Sequence, residues 1–158
     1  MNDNEPEREI LTELVLRTFR LNGLFLQKAE ELTKPAGLTA AWWQVLGAVL
    51  PGPATVSEIG RTMGLSRQAV QRVANLLVEH GMCELRPNPA HARAKLLAPT
   101  AEGWQAIARL RPGTVAWAQQ IEDEVGTAEL TRAVELMQRL IEVMEHGPSA
   151  PTSGHLDG

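Results

Sequence analysis

Arg67, Gln68, Gln71, Arg72 and Asn75 return to one side of any helix that runs from Arg67 to His80, and no acid joins them before Glu79. A guanidinium can donate two hydrogen bonds to guanine, and a Gln or Asn amide can pair with adenine, in the major groove of DNA. The chemistry offered is recognition rather than bond making. The same face would also suit a solvated surface helix, so its meaning depends on its neighbours. On the opposite side Ala69, Val70, Val73, Leu76 and Leu77 form an apolar stripe, which fixes that face toward a core.

Other chemistries are poorly served. His80, His91, His146 and His155 are scattered and Cys83 is alone, so no zinc-ligand spacing exists. There is no Gly-rich phosphate loop of the Walker type, and no acid–base pair or nucleophile stands out. The expectation is no catalytic residue, no metal and no cofactor, hence not an enzyme. Cys83 falls in an expected strand among apolar neighbours, where packing is its role, and His91 reads as a surface residue or phosphate neighbour. A single cysteine cannot close an internal disulfide, which agrees with a reducing compartment. No apolar run reaches about 18 residues, and MNDNEPERE lacks the layout of a signal peptide. The expected location is the cytoplasm, with no membrane partner.

The elements that must position these side chains can be read around them. Thr55 and Glu58 stand in capping-box spacing, and Val56, Ile59 and Met63 follow at helical intervals. Gly60 falls where two helices must approach closely. Gly64 suits the left-handed end of the first helix, Leu65 points back inward, and Ser66 can cap the next helix. Gly81 closes that helix. MCELRP and KLLAP then read as two strands around the turn-rich loop NPAHARA. Arg86, Arg93 and Lys95 give this hairpin a basic tip able to reach phosphates or the minor groove, where arginine is favoured. Ordinary surface charge is the alternative. The fold class expected is mainly α with a small β-hairpin wing: a winged helix-turn-helix over residues 39–99.

Charge follows the same division. The formal net charge of −4 counts against a nucleic-acid binder when taken alone. Between residues 56 and 98, however, Arg61, Arg67, Arg72, Arg86, Arg93 and Lys95 face only Glu58, Glu79 and Glu84, a local +3.

Long helices flank this region. Residues 7–33 carry Ile10, Leu11, Leu14, Val15, Phe19, Leu21, Leu24, Phe25 and Leu32 around much of a helix. Such a helix is either buried centrally or shared with a partner subunit. Lys34-Pro35-Ala36-Gly37 stops it, and Thr39 caps a second helix to about Leu50. Trp42 and Trp43, being adjacent, point in different directions; both could be core, or one could line a ligand site. Thr100 caps a helix to about Glu124, which Pro112-Gly113 should kink or briefly break. Its acidic end, Glu122-Asp123-Glu124, opposes the helix dipole and reads as solvated. Thr127 caps a last helix to about Glu145, whose stripe of Leu130, Val134, Met137, Leu140, Ile141 and Met144 needs a covering surface. That surface is a second subunit, or the chain's own core in a monomer. Residues 147–158 read as a disordered tail. The partition expected is 7–34 with 100–146 as a helical dimerisation region, and 39–99 as the DNA-binding domain.

From Val56 to Gly103 the run VSEIGRTMGLSRQAVQRVANLLVEHGMCELRPNP, then R-A-K-L-L and T-A-E-G, resembles the winged-helix core of the multiple-antibiotic-resistance regulator (MarR) family. The likeness extends more loosely over residues 8–146. His91 stands where the family's wing usually carries Asp, Arg93 is kept, and Pro99 replaces an apolar residue. The resemblance implies a homodimer whose terminal helices interlock through Ile10, Leu14, Leu130, Val134, Met137, Leu140, Ile141 and Met144. It implies a regulator, expected to be a repressor, that sets two recognition helices into successive major grooves of a near-palindromic double-stranded DNA operator. Gln68, Gln71, Arg72 and Asn75 would then read bases, Ser66, Arg67, Arg86 and Lys95 would hold phosphates, and Arg93 would probe the minor groove. It further implies a small-molecule effector, often aromatic, near Phe19, Arg20, Phe25, Trp42, Trp43 and Trp104. The alternative is a winged-helix protein-interaction module that binds no DNA.

Overall fold

The structure, a computed structural model, describes residues 5–147, with side chains from residue 8 onward. Of the expected disordered tail, 147–158, residues 148–158 lie outside the described residues, His155 among them. The elements are α1 (Glu5–Thr33), α2 (Ala40–Ala48), α3 (Val56–Met63), α4 (Arg67–Glu79), β1 (Cys83–Arg86), β2 (Leu96–Pro99), α5 (Ala101–Val125) and α6 (Thr127–His146). The chain is therefore mainly α with one antiparallel hairpin, as the residue pattern implied. It divides into two compact units between Thr114 and Val115, inside α5.

Local hydrogen bonds explain most boundaries in the first unit. A short 3-10 turn, Lys34–Ala36, follows α1, and Gly37 (φ 68°) reverses the chain. Leu38 N–H then reaches back to Thr33 O at 3.2 Å. The buried Thr33 hydroxyl donates to Ala29 O at 2.8 Å, so it is satisfied within its own helix. Glu30 of α1 accepts from Ala40 N–H at 2.9 Å, and Thr39 accepts from Trp42 N–H at 3.2 Å. Both satisfy free donors at the start of α2.

Val45, Leu46 and Val49 of α2, Ile59 of α3, Val70, Val73, Ala74 and Leu77 of α4, and Cys83 and Leu97 of the hairpin form the main core. A smaller cluster gathers Leu38, Ala106 and Leu110, with Trp42, Met82 and Ile107 packed against both. The hairpin pairs Cys83 with Pro99, Glu84 with Ala98, Leu85 with Leu97 and Arg86 with Leu96. One further bridge joins Ala54 to Leu97, with Leu97 N–H to Ala54 O at 2.8 Å and Ala54 N–H to Leu97 O at 3.1 Å. This bridge ties the chain just before α3 to the strand that leaves the wing.

In the same unit, α5 begins at a crowded joint. Thr100 accepts from Gly103 N–H at 3.2 Å as an N-cap and donates to Gly81 O at 2.6 Å. The Gly103 backbone lies so near Met82 that an added Cβ would sit 2.1 Å from Met82 O. Around Pro112, where a kink or a brief break was expected, α5 continues without a break. Proline removes one N–H and one ladder bond, and the neighbouring turns hold the helix across it. Thr114 hydroxyl also donates to Arg111 O at 3.1 Å.

In the second unit the expected cap is displaced by one residue. Gly126 (φ 91°) is the N-cap of α6, without a side-chain bond, and Thr127 is already helical. The Thr127 hydroxyl donates instead to Glu122 Oε1. A positive φ at the junction suits glycine, and this places the reversal before Thr127. No residue of α6 is buried within the chain. Val134, Met137, Ile141 and Met144 are 66%, 45%, 50% and 86% exposed, while Leu130 and Leu140 are half-buried. Among the described side chains of α1 only Ala29 and Thr33 are buried; Ile10 and Phe19 are each 69% exposed and Leu14 is half-buried. The central-burial reading of α1 therefore fails within a single chain, where Ile10, Leu11, Leu16 and Phe19 are more than half exposed.

Candidate nucleic-acid interface

Helix α3 opens with the capping box anticipated from spacing. Glu58 N–H bonds Thr55 Oγ1 at 3.2 Å, while Glu58 Oε2 accepts from Thr55 N–H at 2.7 Å and from its hydroxyl at 2.8 Å. The Thr55 backbone bond, then its hydroxyl, hold the Glu58 carboxyl below its usual 4.5, with smaller help from the positive charges of Arg61 and His91. Gly64 (φ 64°) ends the helix. Leu65 N–H returns to Gly60 O at 2.8 Å. A Cβ on Gly60 would meet Leu65 O at 2.8 Å and Val70 at 3.7 Å. The close approach is thus between Gly60 and the turn itself, and it sets the angle at which α4 departs.

Helix α4 starts at Ser66, whose Oγ accepts from Ala69 N–H at 3.1 Å. It ends in a Schellman arrangement: Gly81 (φ 72°) bonds Val78 O at 3.0 Å and Met82 N–H bonds Leu77 O at 2.9 Å. Val70, Val73, Ala74 and Leu77 are buried. Ser66, Arg67, Gln68, Gln71, Arg72 and Asn75 are all exposed and line one open face. On that face Gln71 Nε2 donates to Asn75 Oδ1 at 2.9 Å.

Beside this face a narrower cleft is lined by Thr55, Val56 and Ser57 at the start of α3, Arg67 and Gln71 of α4, and Leu85, Arg93, Ala94 and Lys95 of the hairpin. Among the described residues, no ion pair engages Arg67, Arg72, Arg93 or Lys95. Arg86 behaves differently. Its Nε lies 2.7 Å from Glu84 Oε1, in an exposed pair on its own strand, and Arg86 is absent from the cleft lining. The wing tip is ordered locally: Asn88 Oδ1 accepts from Ala90 N–H at 3.0 Å, and Ala94 N–H bonds His91 O at 3.1 Å. With His91 in place of the family's Asp, an Asx turn at Asn88 shapes the loop.

The cleft lining adds Thr55, Val56, Ser57, Leu85 and Ala94 to the residues anticipated from sequence. Their placement depends on the Ala54–Leu97 bridge, for which no local signal exists. The aromatic residues are more dispersed. Trp42 and Trp43 are half-buried against Leu38, Ala106 and Leu110. Trp42 also meets the His80 ring edge-on, with centroids 4.8 Å apart. Phe19, Phe25 and Trp104 are exposed, and Arg20 lies with Leu16 and Leu24 in a shallow groove along α1. Cys83 is buried in the core, and loss of solvent pushes its thiol up to about 11. Among the described residues, no group of three or more His, Cys, Asp or Glu could hold a metal ion. Nor is any helix among them long and apolar enough to cross a membrane.

Residues 36–94 match the model of the MarR family. The uncharacterized protein Rv2011c of Mycobacterium tuberculosis is 34% identical over 131 residues, covering 83% of this chain and 92% of the relative. Among solved structures, a mutant MarR from E. coli complexed with operator DNA superposes with a TM-score of 0.67 at 21% identity, over 88% of this chain and 99% of that one. CouR from Rhodococcus jostii, bound to p-coumaroyl-CoA, does so with a TM-score of 0.63 at 22% identity, over 87% and 94%. The chain belongs to the MarR family of winged helix-turn-helix transcription regulators.

Proposed function

We propose that the chain works as a homodimeric, sequence-specific DNA-binding repressor whose grip on its operator is released by a small aromatic ligand. The observation that carries this reading is the exposed face of α4 continuing into a cleft with Arg67, Arg93 and Lys95, cations that have no acidic partner among the described residues. Such a surface suits a polyanion with readable base edges. Gln68, Gln71, Arg72 and Asn75 face the major groove; Ser66, Arg67 and Lys95 hold phosphates; Arg93 enters the minor groove. Arg86 contributes from the flank once released from Glu84. Residues 39–99 form the DNA-binding domain, and 7–34 with 100–146 the dimerisation region, where the uncovered apolar residues of α1 and α6 support pairing with a second copy. The operator DNA in the E. coli complex and the aromatic acyl group held by CouR support the partner and ligand classes. An effector of this kind acts only through different affinities for the DNA-competent and incompetent forms.

Selection from a duplex library at two salt concentrations tests the proposal. Enrichment of a near-palindrome, with affinity falling steeply as salt rises, is expected. Arg72→Ala should relax sequence preference, whereas Lys95→Ala should weaken all duplexes alike and flatten the salt slope by about 0.9. Selection with refolded protein, freed of any bound ligand, that still enriches nothing would refute it. A panel of phenolic acids that left tryptophan fluorescence and DNA affinity unchanged would refute the ligand part.

A further inference from the structure

The geometry points to Asn75 as a positioning residue that fixes the Gln71 amide so that Gln71 selects adenine, rather than as an independent base reader. This rests on the DNA-binding role proposed above. The observation is the 2.9 Å bond from Gln71 Nε2 to Asn75 Oδ1, between two exposed side chains one helical turn apart on the face lined by Ser66 to Asn75. A free glutamine amide presents two N–H donors and one carbonyl acceptor and can rotate to suit either purine. Here one Nε2 hydrogen is committed to Asn75. What Gln71 has left is one N–H and Oε1, one donor and one acceptor.

That pair complements adenine, which offers the N7 acceptor and the N6–H donor in the major groove, and conflicts with guanine, whose N7 and O6 both accept. A Gln71 turned to give two donors to guanine would have to break its bond to Asn75. A fixed amide also loses less side-chain freedom on binding, which strengthens the preferred contact. Among the described residues, neither makes another side-chain bond that would hold it in a different direction. Arg72, on the same face and without an ion pair among the described residues, stays free to read a separate base.

The test is duplex selection with the full chain and its Gln71→Ala, Asn75→Ala, Asn75→Asp and double Gln71→Ala, Asn75→Ala variants, with melting temperatures alongside. Gln71→Ala should abolish an adenine preference of roughly 5- to 150-fold at one position of each half-site. Asn75→Ala should weaken the preference at that same position while melting stays unchanged. The double variant should lose no more than Gln71→Ala does. Asn75→Asp keeps the acceptor, so it should retain the adenine preference while lowering affinity for every duplex through repulsion from phosphate. If Asn75→Ala altered a different position from Gln71→Ala, or the two losses added, the positioning role would be overturned. Unaltered protein that selects no sequence would overturn the DNA-binding reading itself, and this inference with it.

Discussion

Gly103→Ala is the substitution on which the packing of the winged unit can be judged most sharply. Alanine is normally the better helix residue, by about 1 kcal/mol, so at an unconstrained site it would stabilise α5. Here its Cβ would lie 2.1 Å from Met82 O, 3.2 Å from Met82 C and 3.4 Å from Leu46 Cδ1. The first two are backbone atoms, which no rotamer change can remove. Restoring ordinary contact means moving α5 or the Gly81–Met82 segment by more than an ångström. That strain costs about 1–3 kcal/mol or more. The shift also disturbs the bonds from Thr100 N–H to Met82 O (3.0 Å) and from Thr100 Oγ1 to Gly81 O (2.6 Å), each worth about 1 kcal/mol. The net expectation is a loss of about 2–3 kcal/mol, or about 5–10 °C in Tm for a chain of this size. Urea unfolding followed by tryptophan fluorescence measures it, at one protein concentration because the stability of the proposed dimer would depend on concentration. Gly47→Ala in α2, where nothing lies within 4 Å of the added Cβ, is the control and should be neutral or stabilising. A Gly103→Ala protein as stable as its parent would refute the proposed joint between α5 and the start of the hairpin.

Three further outcomes are expected. The Glu58 carboxyl is held below its ordinary 4.5 by Thr55. Its contribution is therefore present above that value and lost as pH falls through the lowered one. The parent should lose more stability than Glu58→Gln on acidification below about pH 4.5, and equal acid profiles would argue against the capping box. Cys83, with its thiol raised from 9.0 to about 11, should react with a thiol reagent roughly a hundredfold more slowly in the native protein at pH 8 than in urea, from its smaller thiolate fraction. Fast native labelling would contradict its burial. Ile141→Glu on the uncovered face of α6 should shift sedimentation toward a monomer without loss of helicity, since Ile141 is 50% exposed in the single chain. An unchanged dimer would mean that this face is not the interface.

What the sequence by itself determined was set by bonds that span three to five residues. The Thr55–Glu58 box, the Ser66 cap, the reversals at Gly64 and Gly81 and the Thr100 cap all rest on short loops of chain, and side-chain type at fixed spacing decides them. The polar face of α4 was equally legible, because helical periodicity separates Arg67, Gln71 and Asn75 from Val70, Val73 and Leu77. Where two local preferences compete, spacing misleads. At the α6 junction, Thr127 offered a capping side chain but Gly126 offered the positive φ that the reversal required. At Pro112, one lost N–H did not interrupt a helix held by the turns on either side. Tertiary structure alone decided the rest. The Ala54–Leu97 bridge brings the start of α3 against the wing, and the Gly103–Met82 contact seats α5 on the chain entering β1. These meetings lie 43 and 21 positions apart along the chain, where closure entropy is met only by burial of the whole core, and no short pattern of residues encodes them. The same holds for α1 and α6: their apolar residues are plain in the sequence, but only the structure shows that Ile10 and Phe19 of the first and Val134 and Met144 of the second stay largely exposed.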